Sequence, residues 1–162
     1  MTSMQRQTAA PRGGLETRGL LALVSRLGGV SLSSATLDRW IQGGLVTPSL
    51  ARSRTRGVSH LWSANDAVLV TWLARLRADG LDVFAFRRPL KGPGWSKLGG
   101  ALTKDPPLFL TITSGGTAAV LRAEDLLAYL RAPSRSVLVV WPALPLDDVR
   151  AEARLLGVVE LP

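Results

Sequence analysis

Apolar residues recur at helical spacing through the first half of the chain. Leu20, Leu21, Val24 and Leu27 fall three and four apart and Gly28-Gly29 ends the run, which predicts a helix. A second helix is predicted from about Ser34 to Gln42. Leu37, Trp40 and Ile41 share its buried face, and Ser33 or Ser34 is placed to cap its first turn. Gly43-Gly44 stops it and Pro48 prevents its resumption. Ala35, Thr36, Asp38, Arg39 and Gln42 are left available outward. Two short helices joined by a glycine-containing turn form a helix-turn-helix pattern, and the second helix is the one a DNA major groove admits.

Further on, Ser63-Ala64-Asn65-Asp66 has the form of a capping box. It opens a helix with Leu69, Leu73 and Leu76 inward and Arg75 and Arg77 toward solvent, ended by Asp79-Gly80. Leu81 to Leu90 reads as one more short helix, with Phe84 and Phe86 partly buried. Residues 91–107 hold Gly92, Pro93, Gly94, Gly99, Gly100, Pro106 and Pro107, a breaker density that reads as a linker. Behind it the pattern is strand, strand, helix, strand, helix. Leu108 to Thr113 and Thr117 to Leu121 flank a Gly115-Gly116 turn, and Glu124 to Leu130 is helical. Ser136 to Trp141 is a short apolar run of the kind found in buried strands, and Pro145 to Leu156 closes as a helix. The expected organisation is a flexible lead-in over 1–14, a mainly helical domain over 15–90, a linker over 91–107 and a small α+β module over 108–162.

Charge sharpens this picture. The net charge of the chain is +8, and residues 1–90 carry twelve arginines against five acidic residues, while 91–162 are nearly balanced. Positive charge concentrated in one half points to a polyanion, because neutralising phosphates releases condensed counterions. Between the second and third helices lies Arg52-Ser53-Arg54-Thr55-Arg56-Gly57. On an extended strand Arg52, Arg54 and Arg56 point the same way, as in a wing that straddles phosphates; a solvated loop is the competing reading. No apolar run approaches the roughly 18 residues of a membrane span, so no membrane partner is expected. The absence of cysteine removes disulfides, thiolate nucleophiles and Cys-based metal sites.

Taken together, Gly29-Val30-Ser31, Thr36-Leu37-x-x-Trp40 and Gly44-Leu45-Val46-x-Pro48 resemble the start of mercury-resistance-regulator (MerR) and excisionase-type DNA-binding domains. So do Trp62-Ser63-x-x-Asp66 and Leu76-Arg77-x-x-Gly80-Leu81. The resemblance covers about residues 18–90. It implies a winged helix-turn-helix and a homodimer, with Thr36, Arg39 and Trp40 on the recognition helix and Arg56 and His60 on the wing; Ser34 at the helix start and Arg52 and Arg54 from the alternation complete the expected DNA-binding set. Asp38 stands where the family usually carries arginine. The breakers of 91–107 stand where regulators of this kind continue into a long dimerising helix.

Other constellations carry less. His60 is the only histidine, so a Ser-His-Asp set would have to borrow it from the wing. Ser114-Gly115-Gly116-Thr117 lacks the Lys-Ser/Thr and helix start of a phosphate loop. Asp147, Asp148 and Glu152 lie at helical spacing beside Arg150 and Arg154, as on a solvated face. Trp40, Trp62 and Trp72 sit at core spacing, against stacking on single-stranded bases. The expectation is therefore a protein that binds double-stranded DNA in a sequence-specific way, cytoplasmic and nucleoid-associated, with no catalytic group, metal or cofactor. The C-terminal module is expected to dimerise, sense a ligand or take a protein partner. An architectural role of the excisionase kind, or an antitoxin-like interaction module that uses the fold as scaffold, are the alternatives.

Overall fold

The computed structural model describes residues 13–51, 60–88, 90–91, 108–113, 118–131, 137–142, 144–158 and 160–162. In chain order the elements are β1 (Leu15–Glu16), α1 (Thr17–Gly28), α2 (Ser34–Gln42), β2 (Leu61–Trp62), α3 (Ala64–Ala78), a 3-10 turn (Val83–Phe86), β3 (Leu108–Thr113), β4 (Ala118–Arg122), α4 (Ala123–Leu130), β5 (Val137–Pro142) and α5 (Leu146–Leu155). The fold is mainly helical. Gly29 ends α1 in the left-handed conformation (φ +64°), where a side chain is disfavoured, and its N–H donates to the carbonyl of Ser25.

The third helix begins as its sequence dictates. Ser63 Oγ accepts from the Asp66 backbone N–H, and Asp66 Oδ2 accepts from the Ser63 N–H at 2.9 Å, closing the capping box. The same Oδ2 accepts from the N–H and hydroxyl of Ser49, at 3.0 and 2.7 Å. One buried carboxylate thus starts α3 and ties down the segment that follows α2. Val68, Val70, Thr71, Trp72 and Ala74 are buried on α3 as well as Leu69, Leu73 and Leu76, so nearly the whole circumference is covered. A one-sided helix was expected; Trp72 is covered by Phe86 and Thr71 lies against Gly28 of α1, and an element far along the chain also packs on α3.

That element is α5, which packs on both α1 and α3. Val149 and Ala153 are fully buried in the same core as Leu20, Leu23, Val24, Trp40, Trp62 and Leu69, and Leu161 joins them. Fully burying a side chain such as Val149 or Leu161 stabilises by about 1.5–3 kcal/mol each. The accompanying Arg26–Glu152 ion pair is partly solvated and worth about 0–1 kcal/mol. Apolar burial, not the ion pair, therefore holds α5 in place. The Pro162 carbonyl then accepts from the Ala64 N–H at 2.7 Å, satisfying one of the donors that the first turn of α3 leaves open.

The division at residue 108 is corrected accordingly. β3, β4, β5 and α4 do form an α+β unit, an antiparallel sheet of order β4-β3-β5 with α4 packed on β3 and β4. The closing helix expected with that unit belongs instead to the core of the first half, because α1 and α3 present apolar surface that Val149, Ala153 and Leu161 cover. Most of the lead-in and residues 92–107 of the linker lie outside the described residues. No helix among those described is long and apolar enough to cross a membrane.

Candidate nucleic-acid interface

The second helix is fixed to the core by one face. Leu37, Trp40 and Ile41 are buried, while Ser34, Ala35, Asp38, Arg39 and Gln42 are exposed. Of the two candidate caps, Ser33 acts: its Oγ accepts from the Thr36 N–H at 3.2 Å. The Ser33 and Thr36 hydroxyls are also hydrogen-bonded, 2.9 Å apart, so Thr36 is half-buried in the cap rather than fully presented outward. Ser34 begins the helix with its side chain in solvent. Arg39 lies in the last turn, where a cation is favoured by the helix dipole. Among the described residues no ion pair joins Arg39 to the neighbouring Asp38 or to any other acid.

Trp40 requires a correction. It is 1% exposed, so it makes no direct contact with a ligand of α2. Its indole is part of what seats the helix, as the spacing with Leu37 and Ile41 requires.

The arginine segment begins and ends at a defined base. Ala51 and Leu61 form an antiparallel bridge: the Leu61 N–H donates to the Ala51 carbonyl at 2.9 Å and the Ala51 N–H donates back at 3.3 Å. Leu61 and Trp62 pair on their other side with Glu16 and Leu15. Arg52, Arg54 and Arg56 themselves lie outside the described residues. His60, at the returning end, is half-buried with its ring edge-on to Trp62, the centroids 6.1 Å apart. Trp62 is fully buried and its Nε1–H donates to Thr17 Oγ1 at 3.4 Å. The third core indole, Trp72, is buried against Phe86 and its Nε1–H has no acceptor among the described residues.

Two features at the far end of α2 escape the sequence pattern. Phe84 and Arg87, on the 3-10 turn after α3 and just beyond it, pack against Gly43 and Gly44. A Cβ on Gly43 would stand 2.6 Å from Phe84 Cε1 and 3.1 Å from the Arg39 carbonyl oxygen. A Cβ on Gly44 would stand 3.5 Å from the Arg87 guanidinium nitrogens. The glycine pair reads as a helix stop, but at Gly43 (φ −72°) the backbone tolerates any residue, and a side chain there would have to displace the Phe84 ring and press on the Arg39 carbonyl. Gly43→Ala is therefore expected to destabilise the protein by about 1–3 kcal/mol through overpacking, measured by urea unfolding. Adding Phe84→Ala should recover part of that loss; a Gly43→Ala protein as stable as the parent would mean that Phe84 does not press on this turn. The exposed Arg87 guanidinium thereby lies beside the end of the helix that carries Arg39.

Asp147 and Glu152 are engaged with Arg150 (3.9 Å) and Arg26, respectively, and no group of three metal-ligating side chains occurs among the described residues. No family model matches the chain, and no curated protein matches it.

Proposed function

We propose that this protein binds double-stranded DNA through a MerR-like winged helix-turn-helix, with α2 entering the major groove and the arginine segment between Ala51 and His60 serving as the wing. The observation that carries this reading is the division of α2. One face is locked into the core by Leu37, Trp40 and Ile41, and the other presents Arg39 with no ion-pair partner among the described residues. A guanidinium on a rigid, capped helix is pre-organised to bind a guanine edge as a fork. The surplus of arginine in residues 1–90 supplies the sequence-independent attraction to phosphates. Gln42, three residues on, lies on the same side of the helix as Arg39, and Ser34 is exposed at the helix start. Two copies reading paired half-sites are part of the proposal.

The direct test is a pull-down of genomic fragments by the full chain, with sequencing of what is retained. Enrichment of one short motif supports the reading; recovery of random sequence, or none, overturns sequence-specific binding and favours the scaffold alternative. The wing has its own test. Replacing Arg52, Arg54 and Arg56 together with alanine should weaken binding to every duplex alike and flatten the slope of log affinity against log salt by about 0.9 per lost phosphate contact. An unchanged slope would remove the arginine segment from the interface.

A further inference from the structure

The segment that follows α3 brings further cations to α2. Val83, Phe86 and Leu90 are buried and pin it to the core, while Arg87, Arg88 and Lys91 are exposed. Its backbone stays wound: the N–H groups of Arg87, Leu90 and Lys91 donate to the carbonyls of Phe84, Phe86 and Arg88 at 3.1, 3.2 and 3.2 Å. From Val83 to Lys91 the chain holds three cations and no acid, and the Asp82 carboxylate just before them accepts from the Phe84 N–H at 3.0 Å. Arg87 has neither an ion pair nor a side-chain hydrogen bond among the described residues. Its guanidinium lies over Gly44, just past the end of α2, where a Cβ would stand 3.5 Å from both Nε and Nη2. The nine residues of α2 make a helix about 13 Å long, close to the roughly 12 Å width of a major groove. A cation held at one end of such a helix stands at the rim of the groove, where the phosphates run.

We propose that the turn after α3 is a second phosphate-binding element, with Arg87 gripping the DNA backbone at the rim of the groove that α2 enters. The proposal rests on the reading of α2 as a groove-binding helix. Arg87 is fixed relative to that helix, through Phe84 against Gly43 and through its own place on Gly44. A phosphate held there sets the depth and register of α2 and carries no sequence information, which is left to Arg39. A purely structural role is the competing account, since a cation at the C-terminal end of a helix is favoured by its dipole. That role would show in stability and not in the salt dependence of DNA binding.

The affinity of the full chain for a labelled mixed-sequence duplex, measured by fluorescence anisotropy across a series of salt concentrations, tests it. Arg87→Gln should flatten the slope of log affinity against log salt by about 0.9, the loss of one phosphate contact, with the urea midpoint unchanged. Arg87→Lys should keep the slope, because a phosphate accepts a point charge as well as a fork. Arg154→Gln removes the same charge from an exposed position on α5 and should leave the slope as it was. A slope unaltered by Arg87→Gln, with or without a loss of stability, overturns the assignment, and so does a slope flattened equally by Arg154→Gln. The two failures are distinct: a parent protein with no affinity for the duplex overturns the groove reading of α2 and this proposal with it, whereas a parent that binds and an Arg87→Gln variant with the same slope remove Arg87 alone.

Discussion

Trp40→Ala unfolds the protein or leaves it barely folded. Trp40 is 1% exposed at the centre of a core built from α1, α2, α3 and α5, and no smaller side chain fills its volume. Truncating a buried aromatic to alanine costs about 3–5 kcal/mol, the lost transfer free energy plus the cavity left behind. Domains of this size have about 5–15 kcal/mol in total, so one substitution removes a large share. Guanidinium unfolding followed by circular dichroism measures the loss, and Trp40→Phe, which keeps much of the burial, should cost distinctly less. The experiment also separates two roles for this residue. If DNA binding falls only as the folded fraction falls, Trp40 acts by seating the helix. A Trp40→Ala protein that stays fully folded and loses DNA would restore Trp40 to the interface and contradict its burial.

What could be read from the sequence, and what could not, follows the range of the interactions. The bounds of α2, the Ser63–Asp66 capping box and the strand from Leu108 to Thr113 are local matters of periodicity and hydrogen-bonding side chains, and each appears where the pattern places it. Which serine caps α2 was open, because Ser33 and Ser34 are chemically equal and only the backbone angle at Ser33 decides. The stretch expected as a helix over Leu81–Leu90 holds a four-residue 3-10 turn whose Phe84 leans on Gly43, a contact set by a residue far back in the chain. Phe86 is buried there and Phe84 keeps 37% of its surface exposed. The destination of α5 was beyond any periodic pattern. Its apolar face shows that it must pack on something, and only the folded chain shows that α1 and α3 provide the partner. For the candidate interface the outward set of α2 was legible, since it is the complement of Leu37, Trp40 and Ile41. Arg87 was not, because it reaches the end of α2 through space.

Arg39→Ala is expected to flatten sequence preference at one or two positions while sparing the fold. Arg39 is the only long cation on α2, it is exposed, and its guanidinium has no ion pair among the described residues. Truncation therefore opens no cavity and leaves no buried charge unpaired, so the stability change should stay within about 0.5 kcal/mol. A bidentate contact to guanine is worth about 1–3 kcal/mol of discrimination, a factor of roughly 5 to 150 between the right and wrong base at that position. Selection from a randomised duplex pool should show the preference flattened at one or two positions, with weak binding to all sequences largely retained through the other arginines. Arg39→Lys should recover only part of the preference, because an ammonium is a point charge without the planar fork. Asp38 beside it gives a second reading on the same axis. Asp38→Asn should raise affinity for all duplexes by removing a repelled charge, without restoring what Arg39→Ala loses. A uniform drop in affinity for every sequence in Arg39→Ala would make Arg39 a phosphate clamp and move specificity elsewhere on the surface. A folded Arg39→Ala protein that binds and selects as the parent does would remove α2 from the groove, and the scaffold reading, with a protein as the partner, would then take its place.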